Sequence, residues 1–376
     1  MLKDIFKNYI YPIAVMSGSI IGVGFLSLPY ITSKVGIFIM LFYFVFLTAL
    51  VICLHLIFTD ITLKTPDFKR FPGFVGFHLG AWAERVTLVL MIFGAFGILL
   101  VYLIVGGQFL TSLLSPFLGG SLLDYIILFF AVLSFILYFG IKTISKIEFW
   151  ALSLFAILFA IIFIKGASHI NFNNFFLFPE GGKLTAAYFF MPYGAILFSL
   201  WGTGLIPEVE EMMRGKKKLL KKVIVISTLI PAIIYLLFVF LVVSITGPST
   251  TESALVGLES FFGRGVFSLA LFIGVITTFT AFVTQGLLLK KMFMYDMNIK
   301  EFPAWVFTCF VPLILFLLGF NSFLSLISFI GGVFLGINGI FILLIYNKIG
   351  GKKILMYPLA LIFILGMIYE MYYFII

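Results

Sequence analysis

Eleven apolar runs, each close to the length needed to cross a lipid bilayer, follow one another along this 376-residue chain. They lie near 11–30, 36–58, 86–112, 122–140, 149–165, 186–206, 223–246, 266–289, 302–319, 322–346 and 354–376. A hydrocarbon core about 30 Å thick needs about 20 residues of helix at a rise of 1.5 Å per residue. Composition closes off a water-soluble alternative. Hydrophobic residues make up 63% of the chain and charged ones 10%, with a mean hydropathy of +1.24, whereas a soluble domain carries roughly 25% charged residues. The expected class is an all-α integral membrane protein with one transmembrane domain over 1–376. The run at 149–165 is short, and its helix is expected to begin nearer Lys142. The longest polar connections are 59–85, 166–185, 207–222 and 247–265; in the first, RFPGFVGFHLGAW reads as a short interfacial helix, a re-entrant piece or a plain loop. No small-residue cleavage pattern follows the first run, so no removable signal is expected. Cys53 and Cys309 fall inside apolar runs and read as small buried hydrophobes, not as a disulfide or metal pair.

Charge placement gives the expected orientation. With the N-terminus cytoplasmic, 20 of the 24 basic residues fall on the inside, and only Lys34, Lys165, Lys183 and Arg264 fall outside. That bias agrees with eleven spans and places the C-terminus outside. The net charge of +9 is then a topology signal, and no nucleic-acid partner is expected.

Two of the runs are interrupted in the same way. The first reads SGSIIGVGFLSLP over 17–29, and the sixth reads FSLWGTGLIP over 198–207. Each carries G-x-G in mid-run (Gly22/Gly24 and Gly202/Gly204) and reaches a proline soon after (Pro29 and Pro207). Two glycines so close cost about 2 kcal/mol of helix propensity against alanine. Bare backbone at membrane depth is tolerated where it faces protein or a water-filled cavity. Glycines also allow close helix packing, but here they recur five spans apart. Five is odd, so the sixth helix enters from the side opposite the first, as an inverted five-helix repeat requires. Matched broken helices in two halves are a sequence pointer to a transport binding site.

The residues at these breaks carry a resemblance. GSIIGVGFLSLPY resembles the first-helix signature of the amino acid–polyamine–organocation superfamily. LFSLWGTGLIPEVEEMMRGKKKL resembles its sixth helix and the acidic-then-basic linker that follows. PGFVGFHLG…LIVGGQFL is similar to the amino acid/auxin and aromatic amino-acid permease branch. The resemblance implies the leucine-transporter-type fold: a 5+5 inverted repeat, with helices 1 and 6 discontinuous and an extra eleventh helix. Repeat one is expected over about 9–166, repeat two over about 186–347, and the extra helix over about 354–376. The implied activity is secondary active transport of amino acids by alternating access.

Physical chemistry gives the candidate site its roles. Unwinding at Gly22, Val23 and Gly24 exposes amides at a helix start, which attract a substrate carboxylate. Carbonyls near Met16, Ser17, Gly18 and Ser19, and those freed at Gly202, Thr203 and Gly204, accept from an ammonium group. No Asp, Glu, Lys or Arg stands near the centres of spans 1, 3, 6 and 8, which favours a neutral amino-acid substrate. Ser17 and Ser19 are candidate hydroxyl ligands, although membrane serines often bond their own backbone. Phe198, Ser199 and Trp201 beside the sixth-span break are candidate pocket residues, and Tyr102 is a candidate gate by resemblance.

No cofactor is expected apart from a coupling ion. Hydroxyls at Thr277, Thr278 and Thr280 of the eighth span are candidate Na⁺ ligands, in the manner of sodium-coupled members of the fold; simple threonine packing is the alternative. The interior of the fifth span, FWALSLFAILFAII, lacks the lysine that some proton-coupled relatives carry, so Na⁺ is favoured over H⁺. His55, Glu148 and Glu370 are expected to be interfacial or structural. The competing classes are a membrane enzyme, which needs clustered acid–base or metal-binding side chains, and a channel, which needs a filter. His55, His78 and His169 are scattered and no filter-like motif is visible. The expected partners are an amino-acid substrate and the bilayer, with no obligatory protein partner.

Overall fold

The computed structural model describes residues 9–66, 69–139, 156–157, 159–176, 186–213 and 216–375. Regular structure among the described residues is helical throughout. Among the described residues eight helices are long and apolar enough to cross a membrane, and the pair Tyr11–Ile20 and Val23–Val35 forms one more span, bent by 49°. Two shorter apolar helices, Phe159–His169 and Glu301–Leu317, occupy the fifth and ninth positions. Every apolar run read from the sequence thus corresponds to a helix. The expected start of the fifth near Lys142 lies outside the described residues.

Helix ends differ from the hydropathy boundaries where polar residues extend a helix beyond its apolar part. The third span runs over Ala81–Leu118, longer than its apolar run at both ends. Gly80 (φ 97°) and Gly119 (φ 68°) bracket it in backbone conformations that a side chain would strain. The second span, Ile37–Lys64, likewise overruns its apolar stretch, and the helix Phe71–Leu79 follows it. The polar connection after the second run is therefore largely helical. His78 on that short helix meets the Thr65 hydroxyl at 2.8 Å, tying it to the end of the second span.

Buried apolar side chains gather in two clusters. One comes wholly from spans 3, 4, 8 and 9, with Leu99, Phe129, Phe282 and Cys309 among its members. The other joins spans 1, 2, 6, 7, 10 and 11, with Ile162 of the fifth, to the facing sides of spans 3 and 8. The first cluster draws on helices that stand five apart in sequence, 3 and 8, 4 and 9. That is the arrangement expected when one five-helix unit occurs twice. Dispersion and close fit, not water exclusion, hold such helices together in lipid.

The eleventh span, Lys353–Ile375, is anchored by a buried carboxylate. Glu370 is 1% exposed and accepts the Gly194 amide at 3.1 Å. That amide lies in the first turn of Pro192–Leu200, where helix N–H groups lack partners of their own. Gly332 of the tenth span leaves the space that the Glu370 side chain occupies. Of the interfacial and structural places expected for it, Glu370 thus takes the interior, structural one.

Candidate functional site

The first span stops at Ile20 and restarts as a 3-10 turn over Val23–Ser27. Between them Ile21 (ψ 88°) and Gly22 (φ −111°, ψ −164°) leave the helical region. The Ile21 and Gly22 amides remain satisfied, by Ser17 O at 3.0 Å and Ile20 O at 2.9 Å. Those of Val23 and Gly24 head the new segment and have no partner within it. Ser27 Oγ closes the turn on Gly24 O at 2.8 Å. Pro29 then opens the helix Leu28–Val35 in its first turn, where a missing N–H costs nothing.

The sixth span breaks in the same manner. Helix Pro192–Leu200 ends at Trp201 (ψ 121°), Gly202 follows at φ −135°, ψ 12°, and a 3-10 turn covers Thr203–Leu205. The helix resumes over Ile206–Met212, with Pro207 in its first turn. The last carbonyls of Pro192–Leu200 therefore lie where no next turn exists to bond them.

The two breaks touch through their glycines. A Cβ on Gly24 would stand 2.5 Å from Phe198 Cδ1 and 2.8 Å from Ser199 Oγ. One on Gly202 would stand 2.8 Å from Ile20 Cδ1, and one on Gly22 would meet the Tyr102 hydroxyl at 3.4 Å. Gly204 faces open space. The two breaks thus approach each other through the Phe198, Ser199 and Ile20 side chains, with the Tyr102 hydroxyl beside Gly22. Met16, Val23 and Thr203 are buried, Trp201 and Gly18 half-buried, and Ser19 exposed. The Ser17 hydroxyl donates to Ser227 O at 3.1 Å, joining the first span to the seventh, and Ser199 donates to Ala195 O at 2.7 Å.

The three candidate threonines of the eighth span use their hydroxyl hydrogens within their own helix. Thr277 and Thr278 each donate to Gly274 O at 2.9 Å, and Thr280 to Thr277 O at 3.0 Å. Their oxygen lone pairs remain as acceptors. Among the described residues no group of three or more His, Cys, Asp or Glu side chains is placed to hold a metal ion.

Two residues outside the candidate set also stand at the breaks. The Tyr235 hydroxyl, from the seventh span, donates to Ile20 O at 2.8 Å, and its ring stacks on Phe25 with centroids 5.2 Å apart. His55 of the second span is fully buried and meets both the Gly202 amide and the Thr228 hydroxyl. Of the two places expected for it, interfacial or structural, it takes the buried, hydrogen-bonded one. An ionisable side chain in mid-span is the available signal; nothing local marks Tyr235.

The model of the tryptophan/tyrosine permease family matches residues 7–357. The chain belongs to the tryptophan/tyrosine permease family. This permease is also similar to a solved structure, "Crystal structure of MhsT in complex with L-phenylalanine", with a TM-score of 0.62 and 17% identity over 96% of this chain and 97% of that one. That likeness shows the fold, which is the leucine-transporter type with helices 1 and 6 discontinuous. No curated protein matches the sequence. Family membership makes the chain a multi-pass membrane transporter of amino acids and not an enzyme.

Proposed function

We propose that this permease carries neutral amino acids with apolar or aromatic side chains, by alternating access, coupled to a cation, with Na⁺ favoured over H⁺. The observation that carries the reading is the meeting of the two glycine breaks, Gly24 against Phe198 and Gly202 against Ile20. A zwitterion needs a donor cluster and an acceptor cluster a few ångströms apart. The Val23 and Gly24 amides and the terminal carbonyls of Pro192–Leu200 supply them from backbone alone. The side chains that meet there are Ile20, His55, Tyr102, Phe198, Ser199 and Tyr235. They are aliphatic, aromatic, hydroxyl and imidazole groups, suited to an uncharged substrate side chain. The bound phenylalanine named for MhsT agrees with that class, as does membership of the tryptophan/tyrosine permease family.

Na⁺ is assigned to the Thr277, Thr278 and Thr280 hydroxyl oxygens with carbonyls of the first-span break, since hard oxygen ligands suit a hard cation. One ion suffices energetically. A hundredfold accumulation needs about 2.7 kcal/mol, and one charge moving through about 100 mV supplies roughly 2.3, with about 1.4 more from a tenfold gradient. The cytoplasmic N-terminus, the repeat limits of 9–166 and 186–347, and function without an obligatory protein partner complete the proposal. Equilibrium binding of labelled amino acids to the purified permease tests the substrate class. Phenylalanine, tryptophan, tyrosine or leucine should bind in Na⁺, and lysine and glutamate should not; preference for a charged amino acid would reject the reading.

A further inference from the structure

His55 is a single imidazole in an apolar helix, yet three spans converge on it. Its Nε2 stands 3.2 Å from the Gly202 amide, in the sixth-span break. Its Nδ1 stands 3.0 Å from Thr228 Oγ1, in the seventh span. The place where Gly202 would carry a Cβ lies between Ile20 of the first break and His55 Cε1, the latter 3.4 Å away. The hydrogen positions follow from the donors. The Gly202 amide has only a hydrogen to give, so Nε2 must offer its lone pair, and the ring hydrogen of a neutral imidazole then sits on Nδ1. Nδ1–H donates to Thr228 Oγ1, and the Thr228 hydroxyl passes its own hydrogen to Ile224 O at 3.0 Å. The chain runs in one direction from the break to the backbone of the seventh span, with every member satisfied.

The neighbouring residue extends this arrangement. Ser227, next to Thr228, accepts the Ser17 hydroxyl of the first span through its carbonyl at 3.1 Å. Adjacent residues of the seventh span thus hold both broken helices, one directly and one through His55. A buried amide without a partner in a bilayer is costly, so the break in the sixth span depends on an acceptor supplied from elsewhere.

We propose that His55 is a positioning residue for substrate binding: it takes up the Gly202 amide and ties it to Thr228, so that the sixth-span break presents carbonyl oxygens to the substrate ammonium. The functional half of this inference rests on the amino-acid reading above. Without His55, the free Gly202 N–H would stand beside the site of the bound ammonium, where a second donor opposes binding, and the break would be free to rewind or shift.

The test contrasts two amides at position 55. In His55→Asn the amide reaches about as far as Nδ1, so Thr228 keeps its partner and Gly202 loses one. In His55→Gln the side chain is one bond longer, and Oε1 reaches the Gly202 amide. Two measurements are made on folded, monodisperse protein of matched melting temperature. The first is hydrogen exchange of the peptide covering 198–206 in ligand-free protein. It should be about tenfold faster in His55→Asn than in wild type, with His55→Gln close to wild type. The second is amino-acid affinity, which should fall by about tenfold or more in His55→Asn and by no more than a few-fold in His55→Gln. Equal exchange in all three proteins, or affinity lost in His55→Gln and kept in His55→Asn, would overturn the assignment and leave His55 as a tie between spans 2 and 7. If the exchange order holds and wild type binds no amino acid, the substrate reading fails while the His55–Gly202 link stands. The two failures are therefore separable.

Discussion

Gly24 and Phe198 pack so closely that a single methyl group on the glycine would stand 2.5 Å from the ring. The contact joins the first-span break to the last turn before the sixth-span break, and it depends on the absence of a side chain at position 24. Gly22, two residues earlier, has more room: a Cβ there would meet only the Tyr102 hydroxyl, at 3.4 Å.

The two glycines should therefore respond differently. Gly24→Ala must displace Phe198 and Ser199, an overpacking that costs about 1–3 kcal/mol, and amino-acid binding should fall by about tenfold or more. Gly22→Ala should bind within about threefold of wild type. Titration of both variants with one labelled amino acid checks the order. Equal tolerance of alanine at 22 and 24 would mean that the two breaks do not approach each other through Gly24 and Phe198.

Glu370 gives a second expectation, about stability. Its carboxylate satisfies the Gly194 amide in a seat left open by Gly332. Glu370→Leu leaves that amide bare and should cost about 1–3 kcal/mol, read as a lower midpoint of thermal unfolding in detergent. Glu370→Gln retains an acceptor oxygen and should lose less. An unchanged midpoint in the leucine variant would show that the eleventh helix is held by packing alone.

The ion assignment is tested with valine at Thr277 and Thr278. Valine keeps the branched shape and removes the oxygen, so the sodium concentration needed for half-maximal binding should rise by about tenfold in at least one variant. Affinity at saturating sodium should change less. A wild type that ignores sodium and responds to a proton gradient would remove the threonines from consideration.

Orientation has its own check. Cysteines introduced at 183 and 264 should react with a membrane-impermeant reagent in intact cells, and one at 349 only after permeabilisation. Reaction at 349 in intact cells would reverse the assigned sidedness.

How far the sequence alone reaches can be judged at particular residues. Gly22/Gly24 and Gly202/Gly204 are legible because helix interruption is local: glycine weakens a helix wherever it stands, and Pro29 and Pro207 restart one. The spans are legible because lipid demands long apolar runs. The first break is displaced slightly from its expected place, since Ile21 and Gly22 unwind while Val23 and Gly24 already belong to the following 3-10 turn. Partners of the breaks are not legible. Tyr235 reaches Ile20 across 215 positions, and His55 reaches Gly202 across 147. Neither residue has a neighbour in sequence that announces its role. Glu370 reads from sequence as either interfacial or structural, and only the tertiary arrangement shows its buried seat against Gly194.

The most direct measurement of the central claim is uptake into proteoliposomes. Labelled amino acids are offered with Na⁺ and H⁺ gradients imposed separately. The account predicts accumulation of at least one apolar or aromatic amino acid, driven by the inward Na⁺ gradient and lost in Gly24→Leu. Accumulation of no amino acid under either gradient, by protein that is correctly inserted, would contradict it.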